Sequence, residues 1–303
     1  MGGDMRHCCI VLALLSAPAL SFGQQSQLQS PIIDVHMHGG PGRGESDQAF
    51  LQGALTEFDK YNVVLALTGI VHSDRYAETW RKAAPGRIVV GPQLAARDGG
   101  DLPDVGLLKQ EYAAGRMGLL GELGYVYVGI APTDPRLAPY FALAEEHDVP
   151  VTVHTGFRPP PKDCCPNFNN DYGNPALLKP ILERHPRLRL IVFHVGGAGP
   201  NANYFDAAIA LMKAHANVYA DMSVVATMAP REVFYANLRR LIDEGLLSRI
   251  MFGSDGPRLI GPHVAAFEAV PFLTSEQKRD IYYNNAARFL RLTADEIARH
   301  HRR

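Results

Sequence analysis

Cysteine and tryptophan are scarce, with 4 Cys and 1 Trp in 303 residues. Two cysteines stand near the start, and the other two are the neighbours Cys164 and Cys165. That is too few, and too clustered, for the disulfide framework of a small secreted fold. An excess of either charge is missing too, since 30 Lys and Arg face 31 Asp and Glu for a formal net charge of -1. A polyphosphate partner needs a basic face, so nucleic acid is not an expected ligand. No apolar run approaches the roughly 20 residues that span a bilayer. Repeats, low-complexity tracts and linkers are also lacking, which leaves no place to divide the chain. Apolar residues make up 47% and charged residues 20%, which excludes disorder and leaves a large core to be buried.

The one abundance that asks for an explanation is 12 His, the residue type that most often holds metals. The N-terminus must be set aside before placing them. Arg6 and His7 precede an apolar run from Cys8 to Leu15, then Ser16-Ala17-Pro18-Ala19-Leu20-Ser21-Phe22-Gly23. This is the pattern of a secretory signal peptide, with small Ser21 and Gly23 at the cleavage site. The expectation is a signal over residues 1–23, a single domain over 24–303, and a periplasmic or secreted product.

Beyond it, apolar β-branched runs alternate with amphipathic segments. Strands are expected at Ile32–His36, Val63–Thr68, Ile88–Gln93, Gly118–Glu122, Val151–His154, Leu190–His194, Val218–Asp221 and Ile250–Gly253. Helices are expected at Asp47–Tyr61, Asp74–Ala84, Leu107–Ala114, Pro135–His147, Pro175–His185, Tyr204–Ala214 and Arg231–Glu244. Strands alternating with helices imply a parallel sheet, and runs such as Val63-Val64-Leu65-Ala66-Leu67 suit strands buried on both faces. Eight units predict an α/β fold, a (β/α)8 TIM barrel, with two extra C-terminal helices in Phe267–Leu292.

In such a barrel, the C-terminal ends of the strands converge on one mouth. Strand 1 runs into Asp34-Val35-His36-Met37-His38, and strand 4 into Glu122. Strand 5 ends in His154-Thr155-Gly156, strand 6 in His194-Val195-Gly196-Gly197, and strand 8 in Gly253-Ser254-Asp255. Residues two apart on a strand share a face, so His36 and His38 can share one ion. Four imidazoles and two carboxylates at the same end of successive strands suit one or two divalent ions. Unrelated turn residues have no reason to recur at that end.

These motifs in this order, with Asn285-Ala286-Ala287-Arg288-Phe289-Leu290 near the end, resemble the amidohydrolase superfamily. The spacing is most similar to its amidohydrolase-related branch, which includes aminocarboxymuconate-semialdehyde decarboxylase. The resemblance implies a metal-bearing barrel with His36, His38, His154 and Asp255 as ligands, and His194 as ligand or substrate-polarising group. It also implies two roles for Glu122: a bridge between two ions, or a partner that orients a ligand histidine. A zinc ion is expected first, with manganese or iron as other choices.

The reaction expected is hydrolysis of an amide, ester or lactone by metal-activated water, with Asp255 moving the proton and His194 stabilising growing charge. Non-oxidative decarboxylation of an aromatic or unsaturated acid is the alternative, and a barrel that only binds is disfavoured because every ligand position is filled. Loops beyond the strands offer His72, Arg75, Arg97, Arg158, Arg258, Tyr125 and Tyr127 for substrate contact. Arg158 and Arg258 are the chosen pair, because guanidinium groups suit a carboxylate-bearing small molecule. A homodimer is compatible with this reading. The Pro- and Asn-rich segment from Gly156 to Asn174 is a candidate lid. Within it, Cys164 and Cys165 stand either as free thiols or as a strained vicinal bridge.

Overall fold

The computed structural model describes residues 30–40, 46–70, 74–94, 102–156, 165–197 and 204–303, and leaves side chains 70 and 74–76 undescribed. The expected signal segment lies outside them, as does much of the candidate lid.

Eight strands follow one another along the chain: β1 (Ile32–His38), β2 (Val63–Ile70), β3 (Ile88–Pro92), β4 (Leu120–Leu123), β5 (Val151–His154), β6 (Leu190–Phe193), β7 (Val218–Asp221) and β8 (Ile250–Met251). All neighbours pair in parallel, β1-β2-β3 in one run and β4 to β8 in another. The two runs join through a bridge between Gln93 and Gly121. They close on the other side where Val35 N–H donates to Phe252 O at 3.0 Å and Asp255 N–H to His36 O at 2.8 Å. The result is the expected (β/α)8 barrel.

Local chemistry starts and stops the helices where the sequence signals them. Ser46 Oγ accepts from Ala49 N–H at the start of the helix Asp47–Lys60, with Asp47 in its first turn and Lys60 in its last. This helix and Asp74–Ala83 pack on the strands around Trp80, which is wholly buried with Phe50 and Phe58 at its ring. Trp80 Nε1–H donates to Gly39 O at 2.7 Å and so pins the turn that leaves β1. A second apolar cluster joins Ile33, Leu67, Ile191 and Met251 to Tyr283 and Phe289 of the C-terminal helices.

Most strand limits shift by one or two residues from the sequence expectation, and three differences have a clear physical reason. β8 pairs with β7 over only two residues, because Phe252 and its successors turn to bond β1 instead. β6 stops at Phe193, since His194 has φ 61° and begins a turn. The C-terminal region is longer than two helices. Ile260–Glu268 precedes a continuous helical run from Ser275 to Leu290 with a π segment at Asp280–Asn284, and Ala294–His300 follows. Capping boxes at Thr274 with Gln277 and Thr293 with Glu296 start the last two runs, while Arg291 in the left-handed region ends the first. Cys165 is buried and disulfide-bonded, so it is not a free thiol; Cys164 lies outside the described residues.

Glycines set the seam between β2, β3 and β4. A Cβ on Gly91 would lie 1.8 Å from Leu119 O, and one on Gly121 would lie 2.7 Å from Gly69 Cα. No side chain fits where the strands approach so closely. Gly91→Ala is expected to lower the unfolding free energy by about 3 kcal/mol, read from Trp80 fluorescence in urea. A midpoint equal to wild type would contradict the packing at this seam.

Candidate metal centre

The alternation of β1 puts Asp34, His36 and His38 on one face, yet each meets a different neighbour. His36 lies 1% exposed, its ring stacked on Phe193 at 3.5 Å. Its Nδ1–H donates to Asp221 Oδ2 at 2.7 Å, with Ser223 Oγ at 2.9 Å. That assigns Nδ1–H to Asp221 and turns Nε2 toward the mouth. His36 Nε2 is buried with no hydrogen-bond partner, although Asp255 Oδ1 lies 3.2 Å away. His38 Nε2 is also 3.2 Å from Asp255 Oδ1, and 3.6 Å from Glu122 Oε2. Two imidazole nitrogens thus converge on one carboxylate oxygen.

Asp34 takes no part in that convergence. It accepts from His36 N–H at 3.1 Å, Ser254 N–H at 3.0 Å and Ser254 Oγ at 2.6 Å, tying β1 to the turn after β8. Burial pushes its carboxyl up to about 7 even so.

The other strands complete the cluster. His154 Nδ1 is bonded to Glu122 Oε1 at 2.8 Å, and its Nε2 faces the Tyr127 hydroxyl at 3.2 Å. Gln93 Nε2–H donates to Glu122 Oε2 at 3.2 Å. His194 and Val195 both adopt positive φ, at 61° and 44°, which swings the His194 ring back over the mouth. His194 Nδ1 must be a donor, because the atom 3.1 Å away is the carbonyl oxygen of Ser223. Its Nε2 is then a lone pair. His36, His38 and Asp255 hold ligand atoms within 4.8 Å of one another, as do His36, Glu122 and His194. His154 is in neither group; its nitrogens face Glu122 and Tyr127.

Burial and charge oppose each other here. Burial would raise the carboxyls of Asp255 and Glu122, but bonds from His36 and His38 hold Asp255 well below the usual range, and His154 does the same for Glu122. Burial would lower His36, yet the Asp221 carboxylate keeps it raised. Burial and the neighbouring His154 and His36 take His194 down to about 4, so it is neutral at physiological pH. A neutral His194 whose N–H already serves Ser223 cannot donate to a growing oxyanion. It therefore suits the ligand role, not the charge-stabilising one expected from sequence. The carboxylates that raise His36 and His38 would equally favour a divalent cation, which would replace the imidazole protons on the same nitrogens.

Asp221 was not among the expected site residues, although it ends β7 as the histidines end β5 and run on from β6. Wholly buried, it holds the His36 ring and also accepts from His194 N–H at 2.8 Å. Gly253 makes room for it, since a Cβ there would lie 2.5 Å from Asp221 Oδ2. Of the expected substrate groups, His72, Arg97 and Arg158 lie outside the described residues, and the Arg75 side chain is undescribed. Arg258 does not join the cluster. It is exposed on a short turn and lines a groove against Phe50, Glu57 and Tyr61 of the first helix region, where the Gly256-Pro257 turn carries it. Tyr125 and Tyr127 are both buried.

Among the described residues, no helix is long and apolar enough to cross a membrane. No curated protein matches the chain in sequence. Its structure is similar to a probable 2-pyrone-4,6-dicarboxylic acid hydrolase from Acinetobacter baumannii with citric acid bound, at TM-score 0.63 and 14% identity, over 86% of this chain and 99% of that one. It is also similar to a dihydroorotase from Saccharomyces cerevisiae in complex with 5-fluoroorotic acid, at TM-score 0.61 and 16% identity, over 89% and 86% of the chains. A dihydroxybenzoic acid decarboxylase from a Polaromonas species, with manganese and the inhibitor 2-nitroresorcinol, matches at TM-score 0.56 and 16% identity, over 88% and 99%. The amidohydrolase family model matches residues 33–292. The chain belongs to the amidohydrolase family.

Proposed function

We propose that this protein is a metal-dependent hydrolase of a small carboxylate-bearing molecule, opening an amide, ester or lactone. The observation that carries the reading is the convergence of His36 Nε2 and His38 Nε2 on Asp255 Oδ1, with the Glu122 carboxylate across from it. His36, His38 and Asp255 would hold one divalent ion, and Glu122 would join it to a second held with His194. Zinc suits this set of imidazoles and carboxylates best, and manganese is the other choice. When bound, such an ion supplies Lewis acidity and lowers the pKa of water toward about 7.

The chain's own groups then divide the remaining work. Asp255, held ionised beside two imidazoles, takes a proton from water at Oδ2, the oxygen not committed to the ion, and returns it to the leaving group. Asp221 keeps Nδ1–H of His36 engaged, so that Nε2 always faces the mouth. Burial of His36, Glu122 and His194 strengthens the charge interactions on that side, while His38 opens toward solvent.

One observation favours a second reading, non-oxidative decarboxylation of an aromatic or unsaturated acid. Glu122 has Oε1 bonded to His154 and Oε2 to Gln93, which suits orientation of a histidine more than bridging of two ions. In that reaction Asp255 would first take a proton from solvent water and then pass it to the carbon that loses carbon dioxide. A panel of lactones and amides run beside aromatic acids separates the two, by ring opening against carbon dioxide release.

Metal content tests both readings. The hydrolase proposal expects two ions per wild-type chain, falling to one or none in Glu122→Ala. An unchanged single ion would remove the bridged site and leave the decarboxylase reading. Asp221→Asn is expected to weaken metal binding by about 10- to 100-fold in chelator competition. Wild-type affinity in that variant would show that Asp221 does not orient the ligand.

A further inference from the structure

The loop after β7 contains a residue in a conformation that its side chain opposes. Val224 has φ 65° and ψ -48°, and Val225 N–H donates to Ser223 O at 2.6 Å. That is a γ-turn of the rare, strained form, and a β-branched residue adopts it only when the surroundings impose it.

One side chain from another element imposes it. His263, wholly buried on the helix Ile260–Glu268, accepts from Val224 N–H through Nε2 at 3.0 Å. Its Nδ1–H donates to Leu259 O at 2.8 Å, which fixes the tautomer so that Nε2 is always the acceptor. Thr227 Oγ1 stands 3.4 Å from the same nitrogen. A single ring therefore locks the loop after β7 to the helix after β8.

What the turn positions is Ser223. Its Oγ donates to Asp221 Oδ1 at 2.8 Å and lies 2.9 Å from His36 Nδ1 and 3.0 Å from His194 Nδ1. Its carbonyl accepts the ring Nδ1–H of His194. Both rings that turn Nε2 to the mouth are thus held from behind by the residue that precedes the strained one.

We propose that His263 is a positioning residue for the metal centre, acting through the Val224 turn and Ser223 on the rings of His36 and His194. The inference rests on the metal-holding reading of those two histidines. With the Val224 N–H unheld, the turn relaxes toward ordinary φ, Ser223 shifts, and the two rings lose their shared anchor.

The test is NMR of the imidazole nitrogens in the full chain without metal, beside cobalt(II) affinity measured by chelator competition. His263→Leu removes the acceptor, and His263→Gln keeps one at similar reach. In His263→Leu the Nδ1 signals of His36 and His194 are expected to move and cobalt affinity to fall about tenfold or more. In His263→Gln both are expected to stay near wild type; a loss equal to that in His263→Leu would overturn the role of the acceptor. Ser223→Ala is expected to move the same two signals. Unmoved signals there overturn the proposal whether or not His263→Leu folds, and so do unmoved signals in a folded His263→Leu chain. A wild-type chain that binds no cobalt yet shows the signal changes would sink the metal reading and support the positioning role.

Discussion

The hydrogen bond from His36 Nδ1–H to Asp221 Oδ2 is the constraint on which the site depends. It joins the first strand of the barrel to the seventh, across 185 residues of chain. Because Asp221 claims Nδ1–H, the other ring nitrogen is turned to a buried place where it has no hydrogen-bond partner. A buried polar atom without a partner is costly, and a cation is the ligand that satisfies it. Closure of the barrel between β8 and β1 brings Asp255 to that same nitrogen, and His38 follows two residues along the strand.

Environment sorts the four buried carboxylates of the mouth. Asp34 is surrounded chiefly by backbone and hydroxyl donors, and burial wins, carrying it up to about 7. Asp221, Asp255 and Glu122 each meet imidazoles, and the bonds to these override burial and hold them below the ordinary range. The outcome is a pocket of fixed negative charge that draws positive charge onto His36 and His38, while His194 stays neutral. Backbone strain collects around it: of the non-glycine residues with positive φ, His194, Val195, Val224 and Asp255 all follow strands β6 to β8. Strain of this kind persists only where neighbouring contacts over-determine it, as Ser223, His263 and the His36 carbonyl do here.

Much of this was legible in the residue order. The eight strands and their approximate limits follow from alternating apolar runs and helical segments, and His36, His38, Glu122, His154, His194 and Asp255 stand out because they recur at one end of successive strands. Asp221 carries the same positional signal, yet an Asp after Ala220 also reads as an ordinary turn residue, so it escaped notice. Ser223, Gln93 and His263 carry no signal at all in sequence, because their roles arise only when distant strands and helices meet. Arg258 shows the converse: its place after β8 suggests the mouth, but the direction of a side chain on a short turn is set by the Gly256-Pro257 backbone, which the order of residues does not reveal. The last helix at Ala294–His300 was not among the expected elements, although its Thr293 and Glu296 capping box is a local signal that needs no tertiary context.

The central claim is that Asp221-oriented His36, with His38 and Asp255, forms a divalent-cation site. Crystals grown with zinc or manganese and measured at the metal's absorption edge test it most directly. The account predicts an anomalous peak within bonding distance of His36 Nε2, His38 Nε2 and Asp255 Oδ1, with His36 Nδ1 still on Asp221. A mouth without a peak, or a peak bound elsewhere while His36 Nε2 stays bare, would contradict it.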